Sequence, residues 1–562
     1  MIGPSRFFRI FAFQSTTFSC MKRTCKYLSF GAAAVLIAMM MAATVVERLH
    51  GTPVAFQWFY HSPLFIVLWA VAAIAGLIYL VKAGTPKRVC TMGLHIGLVV
   101  ILAGALVTFL FGTSGSIHLR EGETTADYEL DDETPATLPF SIRLEAFAID
   151  YYEGTRRPLD YRSDITFLPE GNAVRISMNN IAKYHGYRFY QADYDEDGKG
   201  SILAVSHDPW GVGITYAGYL LLLLSMIGFF FEKDTAFRKA LRRVATMTAA
   251  VAFLVLAPAP ASAQSMPEGM GMPRKEAGTP EFMLSSKAKV QANELYMGIA
   301  RPKVQFMLCL TLGIVLFVLG AVLISKKRKF PAWVLHGSAA IALLMWLYLT
   351  LVIGLRWYIS GTGPYVGRYN VMMLMAWFST LAILLLYRRF PLIEPLGFLL
   401  AGFTMLLASR ESVSPQIMPL MPVLRSPLLS IHVVSMMMSY TLFGLVAFNG
   451  IMGLAVPSRE AKESLRDVSL VVLYPAVFLL TFGTFLGAVW ANISWGSYWA
   501  WDPKETWALI TMLVYAFTLH GGALKPFRNP NFFHGYTIFA FVCVLVTYFG
   551  VNLLLGGMHS YM

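Results

Sequence analysis

Charge is what this sequence has least of. Asp, Glu, Lys and Arg make up 14% of its 562 residues, where a soluble domain carries about 25%. That shortage excludes a soluble enzyme, a disordered chain and a nucleic-acid-binding protein of ordinary type, and it leaves a polytopic membrane protein. Cysteine is scarce as well. Cys20, Cys25, Cys90, Cys309 and Cys543 are scattered. Without a C-x-x-C pair the chain offers no thioredoxin-like site, no zinc ribbon and no C-x-x-C-H attachment motif of its own. Nor does a small-residue cleavage site follow the first apolar run. The basic start (Arg6, Arg9, Lys22, Arg23, Lys26) therefore reads as an anchor rather than a signal peptide.

What is abundant is apolar. Runs long enough to cross a bilayer occur at about thirteen places, near 28–46, 64–82, 92–111, 212–231, 243–261, 305–325, 332–355, 371–387, 392–408, 432–455, 468–490, 506–520 and 535–556. The net charge of +13 is explained by position. Lys82/Lys87/Arg88, Arg238/Lys239/Arg242/Arg243, Lys326/Lys327/Arg328/Lys329, Arg388/Arg389, Arg459/Lys462/Arg466 and Lys525/Arg528 fall on alternate connections and share a side with the basic N-terminus. The positive-inside rule makes that side cytoplasmic. The connections 112–211, 262–304, 356–370, 409–431, 491–505 and the C-terminus are then outside.

Segment 112–211 is the one sizeable outside stretch. Its runs I-H-L-R, F-S-I-R-L-E-A-F-A-I-D-Y-Y, A-V-R-I-S-M and Y-R-F-Y-Q-A-D-Y cluster β-formers between Gly, Pro, Asn and Asp, which predicts a β-rich domain. A compact sandwich fits its length. Segment 262–304, rich in Met, Pro, Gly and Ala, reads as a linker. The run 243–261 ends A-P-A-P-A-S-A-Q, which resembles a cleavage site at Ala263–Gln264. A plain extra helix with a small-residue end is the preferred reading.

The densest local signal is W-G-S-Y-W-A-W-D-P-K-E-T-W, with Trp495, Trp499, Trp501 and Trp507, preceded by Trp490. Interfacial Trp belts are common, but this density exceeds one. An aromatic floor broken by Asp502, Lys504 and Glu505 suits a flat, apolar ligand with polar edges, such as haem, a quinone or a porphyrin. Histidines bracket it. His432 and His559 lie at the outer level. At about 1.5 Å per residue, Trp507 to His520 covers roughly 20 Å, which places His520 near the cytoplasmic end. His95 lies at that depth too, at the start of its span, but so do His336 and His534, and position does not choose among them. His50, His61, His118, His185 and His207 read as surface residues. Imidazole pairs at two depths are good axial ligands for haem iron.

The Trp-rich loop, L-L-S-I-H-V-V-S-M-M-M-S-Y around His432, the L-H ending at His520 and V-N-L-L-L-G-G-M-H-S-Y around His559 resemble the CcsA (ResC) family of haem-handling WWD-domain proteins. The first half resembles its partner CcsB (ResB), through G-L-H-I-G around His95, G-S-I-H-L-R-E-G-E, L-D-Y-R-S-D-I-T and Y-H-G-Y-R-F-Y-Q. Together they are similar to a fused CcsBA, the system II cytochrome c synthase. The resemblance implies an all-α polytopic fold of about thirteen transmembrane helices with one extracytoplasmic β-rich domain. It divides the chain into a CcsB-like half (1–235), an extra helix and linker (236–304) and a CcsA-like half (305–562) with its WWD loop at 490–507.

It also implies haem b as cargo, held by His95 with His520 inside the membrane and by His432 with His559 at the outer face. The outer pair would be catalytic, against Trp490, Trp495, Trp499, Trp501, Asp502 and Trp507. Apocytochrome c with its CxxCH motif would be the substrate and thiol-reducing proteins outside the membrane the partners, with membrane lipid around the chain and no nucleic acid. The setting would be the bacterial inner membrane, with the N-terminus cytoplasmic. A haem exporter feeding a separate ligase is the nearest alternative. A quinone-linked dihaem cytochrome b is more distant, because it has no use for the β domain and the Trp-rich loop.

Overall fold

A backbone in lipid must satisfy its own N–H and C=O groups, and helices account for most of this chain. The computed structural model describes residues 4–85, 88–153, 155–247 and 279–556. In order the helices are α1 (Pro4–His50), the single turn α2 (Thr52–Ala55), α3 (Pro63–Lys82), α4 (Val89–Phe111), α5 (Gly211–Phe231), α6 (Ala236–Met247), α7 (Lys287–Ile299), α8 (Lys303–Ser325), α9 (Ala332–Ser360), α10 (Arg368–Leu386), α11 (Ile393–Ala408), α12 (Pro427–Ala455), α13 (Arg459–Ser494), α14 (Pro503–Leu519) and α15 (Pro530–Leu545), the last running on as a π-helical stretch to Leu555.

Among the described residues ten helices are long and apolar enough to cross a membrane, where the sequence predicts thirteen. Two of the expected spans, 392–408 and 506–520, fold as α11 and α14, of 16 and 17 residues. Both are shorter than the roughly 20 residues a bilayer needs. They are wrapped by other helices, with Phe398, Ala401 and Met405 of α11 and Ile510 and Tyr515 of α14 fully buried. The third, 243–261, contributes its first residues to the end of α6. The remainder, with Ala263–Gln264, lies outside the described residues.

The segment read as a linker is folded over its second half. Ser286 caps α7, accepting the Lys289 N–H at 3.3 Å. Tyr296 of α7 is fully buried, and its hydroxyl donates to the Pro415 carbonyl. One aromatic anchor fixes a helix that overall composition conceals.

Sequence order and packing also divide the chain differently. Leu36 and Met40 of α1, Tyr60, and Phe65 of α3 share one apolar core with Phe443, Ile510 and Tyr515 of the second half. α4 and α5 instead pair with each other at close range. A Cβ at Gly104 would fall 2.6 Å from the Thr215 nitrogen, so only a residue without one lets the two backbones approach. That contact fixes the face on which α4 carries His95.

Between α4 and α5 stand eight strands: β1 (Thr113–Arg120), β2 (Thr124–Leu130), β3 (Pro135–Tyr151), β4 (Pro158–Leu168), β5 (Asn172–Ser177), β6 (Ala182–Tyr184), β7 (Tyr187–Tyr194) and β8 (Gly200–His207). They form a single antiparallel sheet in the order β5-β4-β3-β2-β1-β8-β7-β6, not the two-layer sandwich expected. Irregularities near Thr125, Leu144 and Gln191 bend the strands, as bulges do. The sheet curls until β5 touches β7. Alternating inward residues such as Ile117 and Leu119 of β1, Ile142, Phe167, Phe189 and Leu203 close the core inside it.

Candidate haem-holding sites

His95 lies in the second turn of α4 and His520 directly follows α14. Their ring centres are 5.9 Å apart and their planes cross at 80°. The Nδ1 of His95 is 2.8 Å from the Thr91 carbonyl, and that of His520 is 2.7 Å from the Ala516 carbonyl. A carbonyl only accepts, so each ring carries its proton on Nδ1 and its lone pair on Nε2. The start of α4 is held in turn. The Glu232 carboxylate accepts the N–H groups of Cys90 (2.8 Å) and Thr91 (3.1 Å), where a helix N-terminus favours negative charge. Phe30 of α1 packs edge-on against His520, at 5.5 Å.

Two imidazoles on opposite sides of a metal, at about 2 Å per bond, bring their ring centres to roughly 6 Å. The pair has that separation. Among the described residues no group of three or more His, Cys, Asp and Glu is gathered in a way that would hold a metal ion. Two imidazoles alone suit a metal that brings its own equatorial donors. His336 and His534 stand elsewhere. The fully buried His534 donates its Nε2–H to the Lys462 carbonyl at 2.9 Å, and His336 lies beside Tyr387.

A second feature lies at the other end of α12 and α13 from their connection. A cleft of about 1100 Å³, counted to its open mouth, is lined by His432, Trp490, Trp499, Lys504, Glu505 and mostly apolar neighbours including Met436, Met437 and Tyr440. Its lining, apolar and aromatic with a few convergent polar groups, is of the kind that receives a flat apolar ligand. His432 donates its Nδ1–H to the Gly483 carbonyl at 2.6 Å. One turn on, a Cβ at Gly487 would lie 2.6 Å from that same nitrogen, so the glycine makes room for the ring.

The tryptophans divide into two sets. Trp490 and Trp499 line the cleft, and Trp495 packs edge-on against Trp490 at 4.8 Å. Trp501 adopts φ +55° and turns the other way, stacking on Tyr60 at 4.6 Å and 14°. Trp507 donates its indole N–H to Thr44 at 3.2 Å. Asp502 caps α14 by accepting the Lys504 N–H at 3.0 Å. Glu505 accepts the Ala500 N–H at 2.9 Å, and the Lys504 ammonium donates to Asn552 at 2.8 Å. His559 lies outside the described residues; Thr547 and Tyr548 of the last described helix line the cleft.

Asn179, between β5 and β6, is a site residue that sequence reasoning misses. Its side-chain oxygen accepts from the Trp490 indole at 3.2 Å and from Ser494 at 2.7 Å, and its amide donates to the Val423 carbonyl at 3.1 Å. Its φ of +64° is the ordinary habit of a turn Asn, and no local signal ties it to Trp490. Nearby, Tyr152 donates to the Leu420 carbonyl at 2.9 Å; burial raises its pKa, so the phenol stays a donor. The β domain thus roofs the loop that builds the cleft.

These positions give a first expected result. Trp499→Ala should lower ligand retention roughly twofold to tenfold with little change in Tm, since a ring contact is worth about 0.5–1.5 kcal/mol beyond its area. Trp490→Ala also empties a buried site and removes the bond to Asn179, so it should lower retention and Tm together. Trp501→Ala and Trp507→Ala should instead lower Tm, by removing contacts between α1–α3 and the second half. Haem content and thermal melts measured on all four proteins would separate the sets.

Residues 75–306 match the ResB-like family, and residues 365–559 match the family described as Cytochrome C assembly protein. Protein NrfI of Wolinella succinogenes is 24% identical over 75% of this chain and 71% of its own. Cytochrome c biogenesis protein CcsA of Guillardia theta is 32% identical over 45% of this chain and 93% of its own length. CcsA of Chlamydomonas reinhardtii is 36% identical over 38% of this chain and 65% of its own.

Proposed function

The chain belongs to the cytochrome c biogenesis family as a fused CcsBA-type member, and from that premise we propose that it carries haem b from the cytoplasmic side to the outer face and joins it to apocytochrome c. It is a multi-pass membrane protein of cytochrome c maturation, it handles haem, and apocytochrome c is its substrate. The rest is our reading. The observation that carries it is the meeting of His95 and His520, from the two halves, 5.9 Å apart with both Nδ1 atoms tied to backbone carbonyls. In this reading the N-terminus is cytoplasmic and the β domain, the Trp-rich loop and the C-terminus are outside.

Haem enters between His95 and His520, and the two Nε2 atoms bind its iron. It then passes to the cleft, where His432 and His559 hold the iron and Trp490 and Trp499 cover the ring. Two imidazoles fill both axial positions, which keeps dioxygen off the iron. Two thiols of the substrate's CxxCH, kept reduced by thiol-reducing proteins outside, add across the two vinyl groups. Each sulfur bonds to one vinyl carbon and each thiol proton ends on the other, so nothing leaves. The substrate's own histidine takes an axial position. No cysteine of this chain is consumed.

The test is co-expression with an apocytochrome c in a host that lacks its own maturation system. Covalent haem in the cytochrome is expected. A haem-loaded protein with no covalent product would favour the exporter reading.

A further inference from the structure

Haem is an apolar disc with two carboxylates on one edge. A site for it in a bilayer has to bury the disc and leave the carboxylates where a cation or water meets them. The His95–His520 pair lies near the end of the bundle, and α1 closes its third side. Phe30 of α1 touches the His520 ring at 5.5 Å and Phe517 at 5.7 Å. One turn earlier on α1, Lys26 donates to the Ala523 carbonyl at 3.3 Å, three residues past His520. The chain at that point is folded tightly back, with the N–H groups of Ala523 and Leu524 on the His520 carbonyl at 2.8 and 3.0 Å. Lys525 follows at once, exposed and within electrostatic reach of the Tyr27 hydroxyl. Lys26 and Arg23 lie over the Tyr27 ring, at 4.5 and 5.8 Å from its centre.

Three cations from two separate elements therefore gather about Tyr27, one turn of α1 before the Phe30 that packs on His520. Glu232, the carboxylate at the start of α4, is taken up by the Cys90 and Thr91 N–H groups. Among the described residues none of Arg23, Lys26 and Lys525 forms an ion pair. Lys26 spends its ammonium on a neutral carbonyl, a weak partner that a carboxylate displaces readily.

We propose that Arg23, Lys26 and Lys525 form a cationic collar over the His95–His520 pair that takes the two carboxylates of haem and so fixes which edge of the disc faces out of the bundle. The collar rests on the reading of His95 and His520 as haem ligands. It assigns the first helix, which precedes the ResB-like match, a part in binding: α1 supplies an aromatic wall through Phe30 and the anion contacts one turn away. The same cations would also suit the phosphate of a lipid headgroup, and the experiment separates the two.

Full-length protein, stripped of haem and held in nanodiscs of neutral phosphatidylcholine, is titrated with haem and with haem dimethyl ester, and binding is followed by absorbance. The unaltered protein should prefer haem by about tenfold or more, the worth of a charge-assisted contact. The double variant Lys26→Glu/Lys525→Glu should lose that preference to within about twofold while still binding the ester, which also shows that it is folded. Lys26→Arg should keep it. Unchanged preference in the double variant overturns the collar, as does equal affinity for haem and its ester in phosphatidylcholine together with retention of phosphatidylglycerol that the double variant loses, which would make this a headgroup site. His95→Ala should weaken both ligands alike. If it weakens neither, the haem assignment of the pair falls and the collar with it.

Discussion

His95→Ala or His520→Ala should purify with haem reduced at least tenfold, and free imidazole should restore part of it. The expectation follows from what an axial ligand contributes. Altering even an outer partner of a metal ligand typically costs about 10–100-fold in affinity, and here one of two ligands is lost outright. The rings meet at 5.9 Å, and each is oriented by a carbonyl of its own helix. An alanine leaves a space the size of the missing ring, which a small donor can enter without the helix. Imidazole supplies the same nitrogen, so both haem loading and covalent product should rise with its concentration. Absorbance spectra and pyridine haemochrome assays give the haem; haem staining of the co-expressed cytochrome gives the product. Full haem and unaltered spectra in both variants would mean that this pair does not hold it.

The opposite outcome is expected for His432→Ala. This protein should keep its haem yet form less than about a tenth of the covalent product, because a ligand lost late on a path lets cargo collect upstream. Gly487→Leu should behave alike while leaving the imidazole in place. A side chain there starts with its Cβ 2.6 Å from the His432 Nδ1, which breaks the bond to Gly483 and turns the ring. If His432→Ala lost haem as thoroughly as His95→Ala, the order of the two sites would be wrong.

How much of this was legible before the fold depends on whether the signal is local. Apolar runs are local, and ten of them became long helices. The two that fell short, α11 and α14, are 16 and 17 residues long and buried among other helices, which no single run records. The β domain declared itself by its strand formers, but its closure into one curled sheet depends on register irregularities between distant strands. The Trp-rich loop was conspicuous, yet composition does not say that Trp499 faces the cleft while Trp501, two residues on, faces Tyr60. That choice is made by one left-handed backbone position. The choice of His95 over His336 was likewise closed to the charge pattern, since both share a depth. The packing adds what the charge pattern lacks: His95 meets His520, backed by Phe30 of α1, while His336 lies beside Tyr387.

The inner pair draws one imidazole from α4 and the other from the end of α14, more than 400 positions apart in a chain of 562. Were the two halves separate polypeptides, every such pair would await a second-order encounter, and its completeness would follow the supply of the scarcer half. A single chain makes the encounter first-order, with an effective concentration in the millimolar range for a flexible connection. It also fixes the ratio of the halves at one to one. Dilution in the membrane then costs nothing. A cell that makes only a few copies has as many complete inner pairs as it has chains.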